Sequence, residues 1–345
     1  MTAPVLGESA RDVLVSHASF DGHWPWVAEA FRLEWPPGQC PLECVRLDVD
    51  DARPVHEAIR DPASVHRLVV LGAPFTPESV EAFAGLREAA LLDAYGENAE
   101  PAELLRARGV EVHRHESEGF WGQSVAEFGL ALTLCGLRRI PQLHHEMLTD
   151  LAPWDYSPPG GVPRPGARGG QYGDDPRFTA GTVAGARVRV VGAGNIASRY
   201  AGFVSALGAD VAAWDPYATE PCFHRSGARR EHHLDRLVRD AEIFVPMVPL
   251  LPSTEGLVTA DHIDALPAGC LVVLVTRALI CDMAAIRRRV LADEIALAAD
   301  VWDVEPLPLS DPLLGRHNVV HTPHNAGRTK QANEAFARAI LAKFR

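Results

Sequence analysis

The sequence predicts an α/β protein with two parallel-sheet domains. Three observations point there. The chain has 345 residues, too many for one ordinary core and suited to two. Its first third alternates short apolar runs with helix-patterned stretches, the signature of parallel βαβ units. A second series of the same kind begins at Arg187, after a segment dense in proline and glycine.

In the first series RDVLVSH (residues 11–17) reads as a short buried strand, and a helix follows around 26–34. CVRLDV (44–49) is a strand, ARPVHEAIRD a short helix, and HRLVVLG (66–72) a strand ending on glycine. TPESVEAFAGL starts a helix with Thr76 as N-cap and Pro77 at the first helical position. REAALLDAYG gives another strand, AEPAELLRARG a helix closed by Gly109, and VEVHRH a last strand.

Residues 124–147, SVAEFGLALTLCGLRRIPQLHHEM, carry apolar residues at helical spacing over a span long enough to join two domains. Ser124 and Glu127 fit a capping box, and Pro141 kinks the helix or divides it. Next comes LAPWDYSPPGGVPRPGARGGQYGDDPRFTAG, a loop or arm at about 152–181. It cannot be regular throughout. It is either a solvent loop or an arm that packs on a partner subunit, with Trp154, Tyr156 and Tyr172 to bury.

In the second series RVRVVG is strand, NIASRYAGFVSALG helix and DVAAWD strand. Later strands are AEIFVPMV, GCLVVLVT, IALAADV and NVVHTP, with helices between them that include DMAAIRRRVLAD. TKQANEAFARAILAKF is helical.

Composition narrows the function. Hydrophobic content of 47% and charged content of 23% are those of a soluble globular protein. The net charge is −12 without a basic block, which leaves nucleic-acid binding without support. No run approaches the ~18 apolar residues of a membrane span, and no signal peptide is visible. The six cysteines are scattered. Cys40 and Cys44 lie close, but nothing completes a metal site, and reduced cytoplasmic thiols are expected. His144-His145 and His232-His233 read as solvated.

The stretch VVGAGNIASRYAGFVSALGADVAAWDP runs from Val190 to Pro216. Gly192-Ala193-Gly194-Asn195-Ile196-Ala197 fits G-x-G-x-x-G/A. Gly192 permits the tight turn, Gly194 lets backbone amides approach a pyrophosphate, and small Ala197 lets helix and strand pack closely. The helix start offers unpaired N–H groups and a positive dipole end. The motif follows a strand, opens a helix, and precedes a strand ending at Asp215, close to the ~20 residues expected for an acid that accepts from a ribose 2′-OH. Such a carboxylate repels a 2′-phosphate, so NAD is expected and NADP is less so.

DVWDVEPLPLSDPLLGRHNVVHTPHNAG, residues 300–327, resembles the D-isomer-specific 2-hydroxyacid dehydrogenase family. The matching parts are Glu305-Pro306, Pro312-Leu313, Asn318-Val319 and Thr322-Pro323-His324-Asn325-Ala326-Gly327. Ser124-Val125-Ala126-Glu127, PLLPSTEGLV (249–258) and residues 272–282 resemble further family segments, and the last places Arg277 on the catalytic arginine. The resemblance runs from about residue 68 onward.

It implies two Rossmann-like/flavodoxin-like parallel-sheet domains, the NAD-binding domain inserted into a discontinuous substrate domain. The expected bounds are 1–120 plus 326–345 for the substrate domain and 121–325 for the NAD-binding domain. The implied cofactor contacts are Gly192, Gly194, Asn195, Ile196, Asp215, Pro249, Thr254, Thr276 and Asp300. Gly72, Ala73, Tyr95, Gly96 and Arg277 are implied substrate contacts. The expected assembly is a cytoplasmic homodimer joined through the NAD-binding domains, acting on a small 2-oxo or 2-hydroxy acid, with no metal.

The chemistry of the residue types agrees. Arginine holds a carboxylate with two parallel N–H bonds and polarises a neighbouring carbonyl, which suits Arg277. Histidine changes charge near neutral pH and suits general acid–base work, the role expected of His324. Glu305 can hydrogen-bond the imidazolium and fix the ring. Met247, Leu274 and Ala278 depart from a histidine, an asparagine and a glycine usual in the family. Glu97 adds an anionic side chain that faces the cleft or points away. The alternative to an enzyme is an NAD(H)-sensing binding protein or corepressor-like module on the same fold, which needs no acid–base pair.

Overall fold

The computed structural model describes residues 10–36, 41–92, 98–114, 120–154 and 174–344. The chain divides into two compact units, one of residues 1–120 with 328–345 and one of 121–327.

The first unit holds a parallel sheet of β1 (Arg11–His17), β2 (Leu42–Leu47), β3 (Val65–Leu71), β4 (Glu88–Leu92) and β5 (Glu111–His113). Their order, among the described residues, is β2-β1-β3-β4-β5, the flavodoxin-like winding. Both faces are covered, so the central strands are near-continuous apolar runs. Thr76 caps helix Pro77–Ala82 through a box shared with Ser79, and Gly109 takes a φ of +85° where the preceding helix ends. β2 starts two residues earlier than its apolar pattern suggested. Across from Val65–Leu71, β1 carries Asp12, whose buried carboxylate pairs with Arg67. Helix Lys330–Leu341 rejoins this unit. Arg338 Nη2 pairs with Glu34 Oε1 at 2.7 Å, and Asn333 Oδ1 accepts from Trp26 N at 3.3 Å.

The second unit holds β6 (Arg187–Val191), β7 (Asp210–Trp214), β8 (Arg229–Arg230), β9 (Ile243–Pro246), β10 (Leu271–Leu274), β11 (Ala296–Ala299) and β12 (Val319–His321). The order is β12-β11-β10-β9-β6-β7-β8, and every pairing is parallel. This is the Rossmann winding, which reverses direction between β6 and β9. Successive side chains of a strand point to opposite faces, and the core follows that rule. Val188, Val190, Ile243, Val245, Leu271 and Val273 enter one cluster with helices Phe120–Arg138 and Asn195–Ala206. Val191, Phe244, Val272, Leu274, Leu297 and Ala299 enter the other, with helix Met283–Leu291.

Two details of the linking helix differ from the sequence reading. Ser124 is not an N-cap. The helix already runs from Phe120, and Ser124 Oγ donates back to Trp121 O at 3.4 Å. Pro141 divides the helix rather than bending it. Arg139 takes a left-handed φ of 50°, and a separate helix Ile140–Met147 starts with the proline in its first turn. Most of the Pro/Gly segment, Tyr156 and Tyr172 included, lies outside the described residues. Trp154 is described and exposed.

Candidate active site

Gly192 follows β6 with a φ of +110°. Its N–H donates to Trp214 O at 2.7 Å. A Cβ there would stand 3.1 Å from Met247 O, so glycine is required by both conformation and space. Gly194 is different. Its φ is −73°, and a Cβ on it would meet nothing within 4 Å. It leaves an open cradle in front of helix Asn195–Ala206. Gly122 lets the linking helix approach this turn, since a Cβ on it would lie 2.5 Å from Asn195 Nδ2. Asn195 Oδ1 accepts from Arg199 Nε at 3.0 Å. Ile196 is half-buried against the core.

Asp215, at the end of β7, closes this turn. Oδ2 accepts from Ala193 N at 2.8 Å. Oδ1 accepts from Tyr217 N at 2.9 Å and Ala218 N at 3.0 Å. A carboxylate oxygen accepts about two bonds, so Oδ2 keeps one place for a ribose hydroxyl. After β9 the segment Pro249–Thr254 is tied by Thr254 Oγ1, which donates to Pro249 O at 2.5 Å and accepts from Leu251 N at 2.8 Å. After β10 come Thr276, buried, and Arg277, exposed. Arg277 Nη1 donates to Thr276 O at 2.7 Å. Among the described residues its guanidinium forms no ion pair, so its charge is available to an anion.

The ends of β11 and β12 supply the rest. Asp300 is 0% exposed. Its Oδ1 accepts from Thr322 Oγ1 at 2.6 Å and Asn325 N at 3.1 Å, and its Oδ2 from Ala326 N at 2.9 Å. Those donors straddle His324, which holds a left-handed φ of 53°, rare for a non-glycine residue and typical of functional loops. His324 Nδ1 and Glu305 Oε2 are 2.7 Å apart. With the carboxylate as acceptor, the contact assigns the ring proton to Nδ1 and leaves Nε2 as the ring's acceptor. Glu305 Oε1 accepts from Trp302 N at 2.8 Å. Trp302 Nε1 donates to Thr322 O at 3.2 Å.

Glu305 and His324 are thus brought together, as are Asp215 and the glycine turn. Among the described residues no hydrogen bond or ion pair joins Arg277 to either member of the pair. Asp300 turns to the His324 loop. Met247, Leu274 and Ala278 are buried core residues. Cys281 is also buried, and burial pushes its thiol well above the ordinary range. In the first unit Gly72 has a φ of +69°, and a Cβ on it would collide with Phe20 Cβ; Ala73 is buried. Tyr95, Gly96 and Glu97 lie outside the described residues. The sequence reading missed Thr322 and Trp302 as supports of the pair; the T-P-H motif contained the first without showing what it bonds.

Gly192, Asp215, Thr254, Arg277, Glu305 and His324 each follow the carboxyl end of a parallel strand, where open α/β sheets bind ligands. The open cradle at Gly194, the helix start and the Asp215 carboxylate fit a dinucleotide. The class so defined is a dinucleotide-binding α/β protein that carries a histidine–carboxylate pair. Residues 164–326 match the family described as D-isomer specific 2-hydroxyacid dehydrogenase, NAD binding domain. Those residues, just under half of the chain, carry that family's NAD-binding domain.

It is similar to a hydroxypyruvate reductase of Blautia hydrogenotrophica, 24% identical over 303 residues that cover 88% of each chain. A D-3-phosphoglycerate dehydrogenase of Archaeoglobus fulgidus is 29% identical over 210 residues, 61% of this chain and 36% of that protein. The chain spans 56% of the D-3-phosphoglycerate dehydrogenase of Haemophilus influenzae. Among solved structures, the D-isomer specific 2-hydroxyacid dehydrogenase from Xanthobacter autotrophicus Py2 in complex with NADPH and MES has a TM-score of 0.63 and 26% identity, covering 96% of this chain and 95% of that one.

Proposed function

We propose that the protein is an oxidoreductase that interconverts a 2-hydroxy acid and its 2-oxo form with NAD(H). The observation that carries this reading is the 2.7 Å contact between Glu305 and His324 on a loop held in a left-handed conformation. The nicotinamide, when bound, supplies or accepts the hydride. Gly192, Gly194, Asn195 and Ile196 hold the pyrophosphate at the helix start, and Asp215 takes a ribose hydroxyl. Pro249, Thr254, Thr276 and Asp300 lie along the nicotinamide half of the same strand-end crevice.

Arg277 binds the substrate carboxylate and polarises the 2-oxo oxygen, because its guanidinium is charged and has donors to spare. His324 Nε2 gives the hydroxyl its proton in reduction and takes it in oxidation. Glu305 keeps Nδ1 protonated and stabilises the imidazolium. For the first unit, the family resemblance implies substrate contacts at Gly72, Ala73, Tyr95 and Gly96. NAD is the favoured cofactor, since Asp215 meets a 2′-phosphate with like charge, although the Xanthobacter relative was solved with NADPH. The protein acts in the cytoplasm as a homodimer, for which exposed Ile140, Met147, Leu148, Leu151 and Trp154 offer an apolar surface.

The test follows NADH absorbance with a panel of 2-oxo acids from glyoxylate and pyruvate to branched, aromatic, dicarboxylic and phosphonate-bearing members. His324→Ala is expected to cost at least ~100-fold in turnover and to spare NADH binding. Unchanged turnover in that variant would overturn the assignment. NADH bound without turnover across the panel would favour a sensor, which has no use for the Glu305–His324 pair.

A further inference from the structure

Glu305 sits in a segment without regular secondary structure, between β11 and β12. Residues 304–306 and 308–310 are exposed, so packing alone holds little of it. Trp302 and Leu313 are its buried ends. Between those ends one guanidinium does the tying. Arg287, on helix Met283–Leu291, donates from Nε to Asp303 Oδ2 at 3.0 Å and from Nη2 to Asp303 Oδ1 at 2.6 Å. Its Nη1 donates to Asp311 Oδ2 at 2.9 Å and Oδ1 at 3.1 Å. The side chains are 19%, 23% and 8% exposed for Arg287, Asp303 and Asp311, so solvent screens these pairs far less than an open surface pair.

The tie reaches the acid–base pair in few steps. Asp303 is flanked by Trp302, whose N–H holds Glu305 Oε1. Asp311 Oδ1 also accepts from Leu313 N at 2.9 Å, which pins the far end to the core. Burial raises the Asp303 carboxyl, yet the Arg287 hydrogen bond, the Arg287 charge and the backbone N–H groups of Asp303 and Val304 together hold the group below its usual range. Only a planar fork engages two carboxylates in this way; a lysine has one point charge.

We propose that Arg287 is a positioning residue for the acid–base pair: by joining Asp303 to Asp311 it closes the segment that presents Glu305 to His324. A catalytic group held loosely by even ~1 Å loses about 10²-fold in rate. Arg287 does not touch substrate or cofactor; it acts through Glu305. The kinetic half of the test rests on the function proposed above, and the spectroscopic half does not.

The experiment uses the full chain with 15N-labelled histidine. In the parent, the His324 ring shows a protonated Nδ1 with a low-field, slowly exchanging proton, assigned by its loss in His324→Ala. Arg287→Met keeps the stem and removes the donors. It is expected to lose that slow Nδ1 proton, as Glu305→Ala does, and to add nothing in a Glu305→Ala background. In turnover, kcat falls at least about 10-fold while KM for NADH stays within about 2-fold, and Arg287→Lys restores little. A folded Arg287→Met protein that keeps the parent's Nδ1 signal overturns the proposal. If that variant does not fold, Asp303→Asn removes one arm of the tie with little change of shape. The same signal loss is then expected, and its retention overturns the proposal. A parent without turnover would sink the enzymatic reading and leave the ring signal as the measure of Arg287.

Discussion

Replacing Asp300 by alanine tests the loop that carries His324. The carboxylate is 0% exposed and accepts three hydrogen bonds at 2.6–3.1 Å. Thr322 Oγ1 has a second acceptor in Ala299 O at 3.3 Å, so its hydroxyl is not stranded. Among the described residues the N–H groups of Asn325 and Ala326 have no other acceptor. The Ala326 donor is buried and the Asn325 donor partly so, and left unmade they cost at most about 1–3 kcal/mol each, or about 2–6 kcal/mol together. Water entering the vacated space and relief from burying a charge recover part of that, leaving about 2–4 kcal/mol.

A unit the size of residues 121–327 shifts its Tm by roughly 2–4 °C per kcal/mol, so the expected fall is about 4–16 °C. The assay is calorimetry on the cofactor-free chain, paired with NADH titration. Asp300→Asn should fall on the same side, because its amide turns a donor toward a donor. The sequence reading places Asp300 among the cofactor contacts. A cofactor-free Asp300→Ala protein that melts within about 1 °C of the parent, while NADH affinity collapses, would refute the clamp and leave only the cofactor role.

The two glycines of the turn should separate folding from binding. Gly192→Ala forces a side chain into φ +110° and onto Met247 O, and should cost about 1–3 kcal/mol in urea unfolding. Gly194→Val has an ordinary φ and open space, so it should fold like the parent yet weaken NADH binding at least about 10-fold by filling the pyrophosphate cradle. Acid stability has a defined sign. The Arg189 hydrogen bond holds Asp240 below its ordinary value of 3.8. Its contribution is therefore present above that value and is lost as pH falls through the folded-state value. Below about pH 4 the parent should lose stability with a steeper slope than Asp240→Asn, read from melts across pH.

Much of the fold is legible because buried parallel strands are apolar on both faces. VRVV, FVP and LVVL need no partner to be read as strands, and Thr76-Pro77 marks its helix start from local chemistry. Ser124 shows the limit. The S-x-x-E spacing fits a cap, but a spacing does not say where a helix begins, and Phe120–Arg138 begins a turn earlier. Arg139 gave no signal, since a left-handed non-glycine residue is set by what packs around it. Of the candidate site, the glycine turn and its acid were legible from local spacing. The ties among Arg287, Asp303 and Asp311 were not, because separations of 16 and 24 residues follow no helical or strand period. They exist only once a helix and a loop have been brought together by the sheet.

Residues 300–306 make the general point. Three carboxylates, Asp300, Asp303 and Glu305, follow one strand within a few residues, and near one another they repel. Side-chain type does not distinguish them; the donor each one meets does. Asp300 is buried among two backbone N–H groups and a hydroxyl, and so shapes a loop. Asp303 meets a guanidinium that also holds Asp311, and so closes a segment. Glu305 meets an imidazole at the edge of solvent, the one donor of the three that also has a neutral form able to accept a proton. In the proposed reaction Glu305 is thus the only one of the three whose partner changes charge. The other two keep fixed donors, and that fixity is what keeps the third in register with His324.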